Sequence, residues 1–125
     1  MVVYQKRSKR KITSGRYRSS EKKRLDSVGS VPTLTKVGER KAKVKREMGG
    51  SAKNVLLAIN KVNVTDPKTK KTQVTEVMTV VESPANRHFI RRSIITKGTI
   101  LETKLGKVKV TSRPGQEGTL NAVKI

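Results

Sequence analysis

From about Arg40 onward polar and apolar positions alternate, which is the period of a strand. RKAKVKREM puts Ala42, Val44 and Met48 on even positions and Lys41, Lys43, Lys45 and Glu47 on odd ones, and Gly49-Gly50 then offers a turn. NVLLAINKVNV follows with apolar residues on both parities, the pattern of a central strand buried on two faces. The two segments are expected to pair as a hairpin. A helix over residues 36–48 is the competing assignment, since Lys, Arg, Glu and Ala are good helix formers.

Further along, Thr65-Asp66-Pro67-Lys68 reads as a turn, and QVTEVMTVVE, rich in β-branched residues, as the next strand. Ser83-Pro84-Ala85-Asn86 can open a two-turn helix through Ile90, with Ser83 as N-cap and Pro84 in first position. Ile94-Ile95 and TILETKL look like strand segments separated by Lys97-Gly98. With Leu105-Gly106 as a hairpin tip, or a four-residue loop that keeps the same pairing, Thr103 would face Val108, Leu101 would face Val110, and Glu102 would face Lys109. Arg113-Pro114-Gly115-Gln116-Glu117-Gly118 is a turn, and TLNAVKI supplies a last strand. The pattern predicts an all-β body, a small antiparallel β-barrel of about six strands over residues 40–125, with a two-layer sandwich as the alternative. Closure hides strand edges that a chain this short has little else to cover.

Composition changes the picture of the front end. The 125 residues are only 33% hydrophobic and 2% aromatic, with 30 Lys+Arg against 9 Asp+Glu, a net charge of +21. Such an excess repels itself and attracts polyanions, which points to nucleic acid. Residues 1–24 hold ten cations and one acid, Glu21, with no sustained apolar period. Residues 1–39 are therefore expected to form an extended basic RNA-binding arm and linker, with no core of its own before a ligand orders it. No apolar run is long enough to span a bilayer, and MVVYQKRSKR lacks an apolar signal region, so the expected location is the cytosol, with no membrane partner.

Catalysis has little to build on. There is no Cys and a single His, so thiolate chemistry and a usual zinc site are both excluded, and no metal or other cofactor is expected. His88 has Arg87, Arg91 and Arg92 as neighbours in sequence, with Glu82 six residues away, and reads as a polar residue on a basic surface. Gly49-Gly50 and Arg113-Pro114-Gly115 lack the context of phosphate-binding loops. No enzymatic activity and no small-molecule substrate are expected.

Two cation clusters point to RNA. Lys6, Arg7, Lys9, Arg10 and Lys11, continued by Arg16, Arg18, Lys22, Lys23 and Arg24, can follow a phosphate backbone, and Tyr17 can stack on an unpaired base. In SPANRHFIRRSIITKG, Asn86, Arg87 and His88 precede Phe89, and Arg91 and Arg92 precede Ile94-Ile95; apolar anchors beside guanidiniums reduce the entropy lost on binding phosphate. Arg113 is a further candidate in the C-terminal turn.

KRSKRKITSGRYR, KVGERKAKVKREMGG, NVTDPKT, VVESPANRHFIRRSIITKG and VTSRPGQEGTLNAV together resemble the archaeal and eukaryotic small-subunit ribosomal proteins of the eight-e family. The likeness covers nearly the whole chain, and its short length resembles the archaeal form. Ser14-Gly15 stands where Gly-Gly is expected of many relatives, a departure that keeps a bend possible. The resemblance implies a β-barrel with a basic N-terminal segment, bound to small-subunit ribosomal RNA beside neighbouring small-subunit proteins, and no catalysis. The alternatives are a ribosome-assembly factor, which shares the barrel type but is longer, and a DNA-binding architectural protein.

Overall fold

The computed structural model describes residues 4, 5, 7–18, 21, 22 and 24–125. Residues 1–32 and 33–125 form two compact units. The second carries every strand found among the described residues: β1 (Thr35–Val37), β2 (Lys41–Arg46), β3 (Ala52–Ile59), β4 (Lys61–Thr65) and β5 (Thr72–Glu82). A single helical turn, α1 (His88–Arg91), leads to β6 (Ile94–Ile95), β7 (Ile100–Thr103), β8 (Gly106–Val110) and β9 (Asn121–Lys124).

The expected all-β barrel is present, closed by β4, β5, β7, β8 and β9, while β2-β3-β1-β6 form a second, four-stranded sheet. Alternation places Val62, Val64, Val77, Leu101, Val108, Val110 and Ala122 inside. In β5 the alternation slips at a bulge between Val77 and Thr79, which returns Val80 to the interior opposite Leu101. Leu56, Ile59 and Ile95 from the second sheet join the same core.

Three sequence expectations need correction. NVLLAINKVNV is two strands in two sheets, divided at Asn60, whose carbonyl accepts a hydrogen bond from Val77 N at 2.8 Å. Val55 and Leu56 are both buried; here β3 has β2 along one edge, and on the other Leu56 N donates to Pro114 O at 2.9 Å.

The β7–β8 hairpin turns at Lys104-Leu105, so that Thr103 opposes Gly106, Glu102 opposes Lys107 and Leu101 opposes Val108. The Thr103 hydroxyl holds this turn by donating to Gly106 O at 2.8 Å and accepting from Leu105 N at 3.3 Å, and Gly106 supplies the positive φ of 104°. A two-residue shift preserves the inward and outward faces, which is why the sequence pattern did not distinguish the two registers.

The helix also starts later than expected. Ser83 Oγ is buried without a hydrogen-bond partner and caps nothing; Asn86 Oδ1 accepts from His88 N at 2.9 Å and opens the single turn. Thr35–Val37, in the stretch expected to be linker, pairs with both β3 and β6.

Candidate nucleic-acid interface

The first cation cluster lies in residues 1–32, where no described residue is buried. Lys9 to Tyr17 fold back as a small hairpin: Arg10 and Arg16 bridge, Tyr17 N donates to Lys9 O at 2.9 Å, and Lys11 N donates to Gly15 O at 2.8 Å. Ser14 takes a left-handed φ of 65° in this bend, where the Gly-Gly expected of relatives would be unstrained. The Arg7 guanidinium carbon sits 4.1 Å from the Tyr17 ring centroid and the Lys11 ammonium 5.3 Å from it. The cations on this ring thus come from Arg7 and Lys11 rather than from its sequence neighbours Arg16 and Arg18.

Arg18, Lys22 and Arg24 are exposed, and the Arg24 carbonyl accepts from both Ser27 N and Ser27 Oγ. Antiparallel pairing of Tyr4 with Val28 ties the two ends of this unit together. Lys6 and Lys23 lie outside the described residues.

In the second unit, α1 and its flanks hold Asn86, Arg87, His88, Arg91 and Arg92, all exposed. Ile90 packs against the core and the Ser93 carbonyl accepts from Val37 N at 3.1 Å, so the segment is fixed while its cations stay in solvent. Asn86 is partly committed, its side-chain oxygen already accepting from His88 N. Arg113 is exposed too, and its carbonyl accepts from Gln116 and Glu117 N. That loop is pinned to β3 by Leu56 N donating to Pro114 O at 2.9 Å. Close approach explains its glycines: a Cβ at Gly115 would lie 3.0 Å from Thr33 O, and one at Gly118 3.0 Å from Asn54 Cβ.

The acids are few, and several are engaged. Glu47 pairs with Lys53 at 2.9 Å, Glu76 with Lys104 at 2.7 Å, and Glu102 accepts from the Thr79 hydroxyl. The hydrogen bond from Lys104, and then its charge, hold the Glu76 carboxyl below its usual range; the Asp66 carboxyl is lowered chiefly by the backbone N–H of Lys68. Among the described residues no group of three His, Asp or Glu could hold a metal ion, and no helix is long and apolar enough to cross a membrane.

The sequence reading passed over the cations of β2. Lys41, Lys43 and Lys45 read as the polar face of a strand, but Ala42 and Val44 on the other face are exposed as well, and so is Arg46 beside them. An unbroken run of lysines at alternate positions was the available signal.

The family model described as ribosomal protein S8e matches residues 4–125. The chain is 46% identical over 122 residues to the small ribosomal subunit protein eS8 of Methanocella arvoryzae, covering 98% of both chains. The corresponding protein of Nanoarchaeum equitans is 48% identical over 122 residues, covering 98% of this chain and 96% of its own. That of Picrophilus torridus is 41% identical over 123 residues, covering 98% of each. With a match over nearly its whole length, this chain belongs to the ribosomal protein S8e family.

Proposed function

We propose that this protein is a structural constituent of the small ribosomal subunit, at work in the cytoplasm as part of the ribosome and not an enzyme, and that it binds and stabilises folded small-subunit ribosomal RNA. The observation that carries the RNA-binding part is the arm, with ten cations in residues 1–24 and no buried residue among those described up to residue 32. Side chains placed this way contribute little to folding, and their charge is complementary to phosphate. Arg7, Lys9, Arg10, Lys11, Arg16 and Arg18 contact the backbone in this reading, together with Arg87, His88, Arg91, Arg92 and Arg113 on the body. Neighbouring small-subunit proteins are the other partners.

A salt titration of binding to a small-subunit ribosomal RNA transcript tests it. With six to ten phosphates neutralised, affinity should fall by about four to nine decades per decade of salt, at roughly 0.7–0.9 per contact. A flat titration overturns the reading.

A further inference from the structure

β2 and the first residues of β3 form a ribbon that folding does not explain. All six residues of β2 are exposed, as are Ala52, Lys53 and Asn54, and burial of β3 begins only at Val55. Beyond Asn54, which Gly118 approaches closely, the ribbon therefore has both faces open, and a two-stranded ribbon with nothing covering it adds little stability. At about 3.3 Å per residue, the three exposed residues of β3 and the turn carry the tip roughly 10–13 Å past the buried part of the sheet.

Its charge is arranged at a cost. Residues 41–54 hold five cations and one acid, Glu47. Lys45 lies directly across from Lys53, a like-charge pairing that disfavours the hairpin in isolation, and the Lys53–Glu47 contact at 2.9 Å offsets it in part. Arg46, opposite Ala52, carries positive charge to the other face. Lysines along an edge strand can simply block edge-to-edge association. That account covers Lys41, Lys43 and Lys45, but it fails at the tip, where Met48 is 96% exposed.

The tip is slender and held in shape. Gly49 and Gly50 take φ of 75° and 81°, with nothing within 4 Å of where a Cβ would stand. Glu47 N donates to Ser51 O at 2.7 Å, and Ser51 Oγ donates to Met48 O at 3.3 Å. A preformed tip loses little entropy on binding.

Cations on both faces, a bare apolar side chain at the end and no bulk beside it suit a groove walled by phosphates on two sides. We propose that the β2–β3 ribbon is an RNA-binding element in its own right. It enters a groove of the folded ribosomal RNA tip first, sets Lys43, Lys45 and Arg46 against phosphates, and lays Met48 on sugar and base surface. The shallow minor groove of an RNA helix exposes such surface, whereas the major groove is too deep and narrow for side chains to read. This inference rests on the RNA-binding reading above and adds a contact that reading does not contain.

Because the chain has no cysteine, a single thiol can be placed at will. Met48→Cys and, separately, Ile12→Cys in the arm hairpin would be loaded with tethered Fe(II)–EDTA and bound to the small-subunit RNA transcript. Position 48 should cut the RNA at discrete sites on two facing strand segments. Those cuts should weaken when Lys43→Gln, Lys45→Gln and Arg46→Gln are combined with it. Without the tether, the same triple variant should lower the salt slope by about two to three, at 0.7–0.9 per lost contact. Its thermal midpoint, measured alongside, shows that the body is folded. Cuts from position 12 with none from 48, or an unchanged slope in the folded triple variant, overturn the ribbon proposal and leave RNA binding standing; a protein partner for the ribbon would give that result. Failure of the wild-type protein to bind the transcript, with no cuts from either position, overturns the RNA reading and the ribbon proposal with it.

Discussion

The barrel body and the N-terminal unit use the same alphabet in opposite ways. In residues 33–125, Leu56, Val62, Leu101 and Val108 are wholly out of water, and inward positions alternate with outward Lys, Glu and Thr. In residues 1–32 no described residue is buried, Ile12 and Leu25 stand open to solvent, and short hydrogen-bonded turns give what order there is. Apolar burial drives folding in the first case, and nothing comparable acts in the second. With RNA binding as proposed above, stability and binding rest on different residues, and each should be removable without the other.

Deleting residues 1–24 is the strongest way to break that division. If five of the ten cations touch phosphate, the salt slope should fall by about 3.5–4.5, and affinity at moderate salt by several decades. The body's thermal midpoint should stay unchanged or rise slightly as like charges are removed. A truncated protein that unfolds would make the arm part of the fold. One that binds RNA as well as the full chain would remove the arm from the interface.

Leu101→Ala is the converse experiment. Its side chain is fully buried in the barrel, so the substitution should cost about 2–5 kcal/mol, read as a lower denaturation midpoint. RNA affinity per folded molecule should not change. A smaller effect is expected from Arg91→Ala with Arg92→Ala: two lost phosphate contacts lower the salt slope by about 1.4–1.8 and leave the midpoint where it was. Should the midpoint collapse instead, these residues belong with the body's structure.

What the sequence disclosed follows from the same division. Local signals located β2, β5, β7, β8 and β9: alternation marked β2, β-branched residues marked β5, and turn residues on either side marked β7, β8 and β9. Pairings between distant segments leave no such signal. β9 closes the barrel by running parallel to β4, and β1 lies parallel to β3, so neither contact has a turn to announce it. The β7–β8 register leaves none either: the Thr103 hydroxyl holds a turn at Lys104-Leu105 rather than one centred on Leu105-Gly106. At the candidate interface, dense cation runs in the arm and beside α1 were conspicuous. The ribbon was not, because Lys alternating with Ala and Val has the look of an ordinary amphipathic strand until both faces prove to be open.

The smallest effect sharpens the comparison from the side of the acids, and its sign is fixed by Glu76. In the folded body this carboxyl is held below its ordinary value of 4.5, first by the hydrogen bond from Lys104 and then by that residue's charge. A carboxyl lowered on folding contributes stability that is present above the unfolded value and lost as pH falls through the folded one. Wild type should therefore exceed Glu76→Gln slightly in thermal midpoint at neutral pH, and the gap should close as pH drops below about 4.5, where the unfolded carboxyl begins to take up its proton. The pair is exposed on the barrel wall, so the gap is small and should shrink with added salt. Residues 1–24 have one acid against ten cations and should contribute almost nothing to this profile. The protein lacking them should show the same narrowing of the gap between Glu76 and its Gln variant. A gap that disappears with the arm would mean that the arm's charges, rather than Lys104, set the carboxyl, and that body and arm are electrostatically coupled after all.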